Sequence, residues 1–255
     1  MMLCKSEMRY WQACRDAVGV QRNRCCIAVR GELRNIAAPK RIRMPYFAAC
    51  GAQKSKMKIF LLHGDGNKTP DTPFYTTQVL TDTALLGKKA PFFIPDFSNQ
   101  TTVSLHWAVR ISRLGKGVNR RFAHRYYDAA GVALHFTAHP LLEHLQAQGL
   151  PWDLATGFDG AVALGDFQPY VHENHATPAC LAPAVLTIDH AERAALPALR
   201  PGEVADEALE MLSRFYTLRQ GDVLLLPGTP AVEVHMDERL AVMQENACRL
   251  TFRVK

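Results

Sequence analysis

The sequence predicts an α+β chain that is predominantly β, built from short strands and short helices. Three observations predict it. From Met57 onward, apolar runs recur at intervals of about 8–12 residues with Gly, Pro and Asp between them, the punctuation of a β-rich chain. Val103–Arg113 alternates cleanly: Val103, Leu105, Trp107, Val109 and Ile111 fall on one face, and Ser104, His106, Ala108, Arg110 and Ser112 on the other. Helical spacing is confined to three places: the segment NRRFAHRYYDAA, a stretch opened by Pro140 and closed by Gly149, and Glu203–Phe215.

With 255 residues and 48% hydrophobic content, the chain can bury a substantial core as one domain. No uninterrupted apolar run reaches the roughly 18 residues of a spanning helix. The formal charge of +6 is unevenly placed. Residues 1–57 hold 12 Lys/Arg against 3 Asp/Glu, whereas the remaining 198 residues hold 18 against 21. The globular part is therefore mildly acidic, which argues against a nucleic-acid footprint on its folded face. Cysteine divides the same way, with Cys4, Cys14, Cys25, Cys26 and Cys50 in the leader and only Cys180 and Cys248 beyond it. No C-x-x-C occurs, and two separated thiols suit a reducing cytoplasm.

Residues 1–56 are thus read as a basic, Cys-rich leader, disordered or outside the native fold, and 57–255 as the folded domain. An Arg-rich transit peptide and a basic arm for an anionic partner compete with that reading. The abrupt change of composition at Met57, followed by the strand-like MKIFLLHGDG, favours a native start at Met57.

Within the domain, Lys58–His63 opens as a strand and Gly64–Pro73 is a turn-rich loop. Phe74–Leu80, Ala84–Leu86 and Pro91–Ile94 are short extended pieces. Gly115-Lys116-Gly117 ends the long alternating strand, and Asn119 can cap the helix with the basic residues Arg120, Arg121 and Arg125. Ala129–Thr137 is a strand of small residues. Pro140 starts a helix that turns Leu141, Leu142 and Leu145 inward. Ala184–Asp189 is a strand, His190–Pro201 an irregular connection, and Glu203–Phe215 a helix with Val204, Ala208, Met211, Leu212 and Phe215 on one face. Gly221-Asp222 turns into Val223–Leu226; Glu233–His235, Arg239–Val242 and Arg249–Lys255 finish as strands.

The stretches RISRLGKGV, RFAHRYYDA, FTA, LQAQGLPW, GFDGAVALG and TLRQGDVLLLPGTP occur in an order that resembles the fumarylacetoacetate hydrolase family, in its smaller bacterial branch. The resemblance covers roughly Lys58 to Lys255. It implies a mixed β-roll with short helices, a homodimer, and a cleft in which three carboxylates hold magnesium for hydrolysis, isomerisation or decarboxylation of 2-oxo or enol dicarboxylic acids. A hard cation of this kind wants oxygen ligands, and it polarises the substrate's oxygens.

The site positions depart from the family. The Glu-x-Glu pair aligns on Ser104 and His106, and the Asp on His135. The Arg-Asp pair after FTA is His139-Pro140, the lysine before GFD is Thr156, and the lysine before Asp82 falls near Leu80. The early Asn-Tyr-x-x-His motif has no match around His63. Thr229, in Pro227-Gly228-Thr229-Pro230, is the clean carry-over, and the resemblance implies that it contacts a substrate carboxylate. Gly157, Phe158, Asp159 and Gly160 also match, as structural residues.

Three expectations follow. The chain is an impaired or inactive member that binds a small organic acid, without nucleic-acid or membrane partners. Alternatively, His106 and His135 hold a softer divalent metal in place of magnesium. Or the protein is a non-enzymatic subunit whose basic leader recruits an anionic partner. A nucleophilic mechanism has no G-x-S-x-G elbow, and no acid stands in the sequence to orient Ser104 and His106. His172, Glu173 and His175 in YVHENHATPAC read as a solvated loop more readily than as a metal site.

Overall fold

The apolar strand β1 (Ile59–His63) sits between two neighbours: antiparallel β2 (Thr76–Leu80) and parallel β9 (Val223–Leu225). Burial on both faces explains its near-continuous hydrophobic sequence. The structure is a computed structural model describing residues 57–63, 75–88, 90–170 and 180–255.

The long hairpin of β3 (Thr101–Ile111) and β4 (Tyr127–Ala138) forms the centre. Among the described residues the larger sheet has the order β2-β1-β9-β3-β4-β5, with β5 at Val162–Leu164. The short β6 (Gln168–Pro169) joins β4, and β10 (Val232–Val234) joins β3. A second sheet of four strands has the order β12-β11-β7-β8, formed by Ala247–Arg253, Arg239–Gln244, Ala184–Ile188 and Ala191–Leu196 respectively. The main core joins the Leu105/Trp107/Val109 face of β3 to Leu186 and Ile188 of β7 and to Leu209 and Leu212 of the long helix. A smaller cluster on the other face gathers Ile59, Leu61, Leu80, Ala108 and Ala133. The predominantly β, α+β architecture expected from the sequence is the one found.

Four helices connect the strands among the described residues: α1 (Arg120–Ala123), α2 (His139–Ala147), α3 (Asp153–Thr156) and α4 (Pro201–Phe215). Asn119 caps α1 by accepting from the Arg121 N–H at 3.1 Å. Pro140 lies in the first turn of α2, and Gly149, at φ +66°, closes its end. The Gly-Lys-Gly turn docks on the end of α4. The Lys116 ammonium donates to the Arg214 and Phe215 carbonyls, and the Ser213 hydroxyl accepts from the Val118 N–H. Asp222, expected only as a turn residue, is buried and pairs with the Lys58 ammonium at 2.7 Å, tying β9 to the start of β1.

Several expectations change. The helix after Asn119 stops at Ala123, because Tyr127 already belongs to β4 and buries its ring, donating its hydroxyl to Asp206. Ala84–Leu86 and Pro91–Ile94 are not strands. They contribute a 3₁₀ turn at Asp82–Ala84 and isolated bridges at Leu85 and Phe92. His190–Pro201 is not an irregular connection, since Asp189 and His190 take positive φ and form a two-residue hairpin turn into β8. That strand lies at a sheet edge and is mostly exposed, so it lacks the apolar alternation that announces a strand. Helix α4 buries Ala205, Ala208, Leu209 and Leu212, and Phe215 is 65% exposed. No helix among the described residues is long and apolar enough to cross a membrane.

Candidate functional site

The polar face of β3 opens into a cleft of about 630 Å³. Its walls come from β1, β2, β3, β4, the helices α2 and α3, and the turn 227–231 that leads into β10. Strand alternation sets Ser104 and His106 side by side, and the β3–β4 register places His135 directly opposite Ser104. Thr156 arrives from the end of α3 and Thr229 from the Pro-Gly-Thr-Pro turn. Of the positions singled out by sequence, Ser104, His106, His135, Thr156 and Thr229 therefore meet in one cleft.

The remaining positions are elsewhere. His139 is 40% exposed on α2 and pairs with Glu143 one turn along. Leu80 belongs to the smaller apolar cluster. His172, Glu173 and His175 lie outside the described residues. One residue escaped the sequence reading: His63, at the end of β1, also faces the cleft. Its signal was weak, a single imidazole where the expected Asn-Tyr-x-x-His motif was missing.

The polar atoms are linked into a chain. His106 sits 2.8 Å from the Ser104 hydroxyl through Nε2 and 2.8 Å from the Leu226 carbonyl through Nδ1. Since a carbonyl only accepts, Nδ1 bears the proton and Nε2 is an acceptor. His135 donates from Nε2 to the Thr156 carbonyl at 2.8 Å, and the Thr156 hydroxyl bonds Gln78, which also meets His63. The rings of His106 and His135 stand edge to face, 6.1 Å between centroids. Gly228 is required beside them, since a Cβ there would collide with the Leu105 carbonyl and the His106 ring.

Burial keeps these imidazoles neutral. Desolvation is the largest cause for both, pushing His106 down to about 4 and His135 down to about 3. Repulsion between the two rings in their protonated forms lowers His135 further, while the hydrogen bond to Leu226 partly offsets the effect at His106. His63 is lowered by burial as well.

This donor set does not fit magnesium. No Asp, Glu, Lys or Arg appears among the described lining residues. A hard cation finds there only hydroxyls, amides and neutral rings. No group of three or more His, Cys, Asp or Glu side chains among the described residues is arranged to hold a metal ion. Three of the four ring nitrogens of His106 and His135 already face protein partners. What the arrangement can do is hydrogen-bond an uncharged ligand and move a proton between Ser104 and His106.

The larger sheet is mixed, through the parallel β1–β9 pair, and its strands β1, β2, β3 and β4 line the cleft. The family model described as fumarylacetoacetate (FAA) hydrolase C-terminal matches residues 52–251, and the chain belongs to the fumarylacetoacetate hydrolase family. Among curated proteins it is similar to a mitochondrial oxaloacetate decarboxylase of Dictyostelium discoideum, 26% identical over 104 residues, 41% of this chain and 47% of that protein. The chain thus matches about half the length of that relative. It is also similar to the oxaloacetate tautomerase YcgM of Escherichia coli K12, 26% identical over 174 residues, 65% of this chain and 73% of that protein. Among solved structures, a fumarylacetoacetate hydrolase family protein from Yersinia pestis CO92 superposes with a TM-score of 0.66 at 24% identity, covering 78% of this chain and 92% of that one. A fumarylpyruvate hydrolase from Pseudomonas aeruginosa, solved with Mn²⁺ and pyruvate, superposes with a TM-score of 0.65 at 16% identity, covering 78% and 88%. At these identities the superpositions establish the fold.

Proposed function

We propose that this chain uses the family's cleft without the family's magnesium-assisted reaction, and that the cleft takes a small uncharged polar molecule. One observation carries the reading. Ser104, His106 and His135 stand where the resemblance puts three carboxylates, and their polar atoms engage one another and the backbone. A dicarboxylate would need cations or a metal to replace its hydration, and the described lining residues supply neither. Hydroxyls and neutral imidazoles suit carbonyl, ester, amide or hydroxyl groups, or a carboxylic acid taken up in its protonated form. The homodimer implied by the resemblance is part of this proposal.

The test is calorimetric titration of the purified chain with Mg²⁺ and Mn²⁺, together with an assay of oxaloacetate and acylpyruvate turnover in magnesium. Neither binding nor turnover is expected, and magnesium-dependent turnover would overturn the reading. The competing reading rests on the two imidazoles meeting in one cleft. It predicts stoichiometric zinc or iron that disappears in the His106→Ala/His135→Ala double variant.

A further inference from the structure

We infer that Ser104 is a nucleophile, and that Ser104, His106 and the Leu226 carbonyl form an acyl-transfer relay for small uncharged esters. This rests on the reading that the cleft works without a metal. A nucleophile needs a base within hydrogen-bond reach, and the base needs a group that fixes its tautomer. The Ser104 oxygen lies 2.8 Å from His106 Nε2, and the Leu226 oxygen lies 2.8 Å from Nδ1. The carbonyl holds the proton on Nδ1, so Nε2 accepts from the Ser104 hydroxyl at 2.8 Å, a closer acceptor than the His135 carbonyl at 3.4 Å, and this is the direction that nucleophilic attack requires. The orienting group is a main-chain oxygen, which has no signature in the sequence. The close approach of Gly228 holds the His106 ring in place, and Ser104 opens onto the cleft.

Thr229 completes the geometry. Its hydroxyl oxygen accepts from the Leu105 N–H, on the peptide that follows Ser104, at 3.1 Å. Its own proton has no acceptor among the described residues and can point to the carbonyl oxygen of an ester held against Ser104. In the first half-reaction the Ser104 oxygen bonds to the ester carbonyl carbon, and its proton passes to His106 Nε2. The carbon–oxygen bond to the alcohol then breaks, the alcohol leaves with that proton, and Ser104 carries the acyl group. Water follows the same route: His106 takes its proton, the acid leaves, and the proton returns to Ser104. A neutral carbonyl steadies the transient imidazolium less than a carboxylate does, so acylation is slow and the covalent adduct is the appropriate readout.

The experiment incubates the full chain in EDTA with an alkyl fluorophosphonate. The Ser104 oxygen–phosphorus bond forms, the phosphorus–fluorine bond breaks, fluoride leaves and the proton passes to His106. Intact mass and peptide mapping should show one adduct per chain, at Ser104, and none in Ser104→Ala. His106→Gln keeps a donor toward Leu226 but cannot take the proton, and should label about 100-fold more slowly. Ser104→Cys should instead collect an acetyl thioester from p-nitrophenyl acetate, which keeps the position testable with a nucleophile in place. The inference is overturned if neither the wild type nor Ser104→Cys forms an adduct at residue 104. It is equally overturned if His106→Gln labels as fast as the wild type. Stoichiometric metal in the same preparation would overturn the metal-free reading instead, whereas failed labelling of metal-free protein removes only the nucleophile.

Discussion

The two faces of β3 are made by the same eleven residues and do opposite work. On one, Leu105, Trp107, Val109 and Ile111 are almost wholly buried in the main core. On the other, Ser104 and His106 meet His135 across the hairpin in a polar cleft. The first face is held by non-directional burial, which depends on area and volume. The second is held by directional hydrogen bonds, such as those joining Ser104, His106 and the Leu226 carbonyl, which depend on the placement of each partner. The apolar face of β3 carries the fold shared with the family, and the polar face carries the residues on which the proposed function rests. On the proposed metal-free reading, a hydroxyl and neutral imidazoles stand in this cleft without the like-charge repulsion that a cluster of carboxylates would need a cation to relieve.

The largest effect should come from breaking the apolar face. Trp107→Ala removes a fully buried side chain and should cost about 3–5 kcal/mol in denaturant unfolding. A cost below about 1 kcal/mol would mean the core is not organised on this strand.

The polar face should instead be sensitive to pH. His106 and His135 have folded values of about 4 and about 3 against an ordinary 6.5, so the unfolded chain takes up protons that the folded chain refuses. Their contribution is complete above pH 6.5 and is lost as the pH falls through about 4 for His106 and about 3 for His135. The two together give a slope of up to about 3 kcal/mol per pH unit in that window. Denaturant unfolding at several pH values checks it, and a flat profile between pH 6.5 and 4.5 would contradict neutral, buried imidazoles. The smallest effect belongs to His139, which aligns with a family site position but stands on the surface of α2. His139→Ala should change stability by no more than about 0.5 kcal/mol and leave labelling of Ser104 unchanged.

The sequence by itself determined the family, the α+β class, the alternation of β3, the N-cap at Asn119 and the end of α2 at Gly149. These features rest on local chemistry: side-chain period, a capping amide, a glycine in the left-handed region. Alternation on one strand was also enough to place Ser104 beside His106. The tertiary structure alone decided the rest. The β8 hairpin depends on Asp189 and His190 adopting positive φ, and its exposed edge strand carries no apolar pattern. His63 entered the site only because β1 ends at the cleft. The proton on His106 is placed by the Leu226 carbonyl, 120 residues away in the chain. Every residue has such an oxygen, so its position in space distinguishes this one, and position is what a sequence does not spell out.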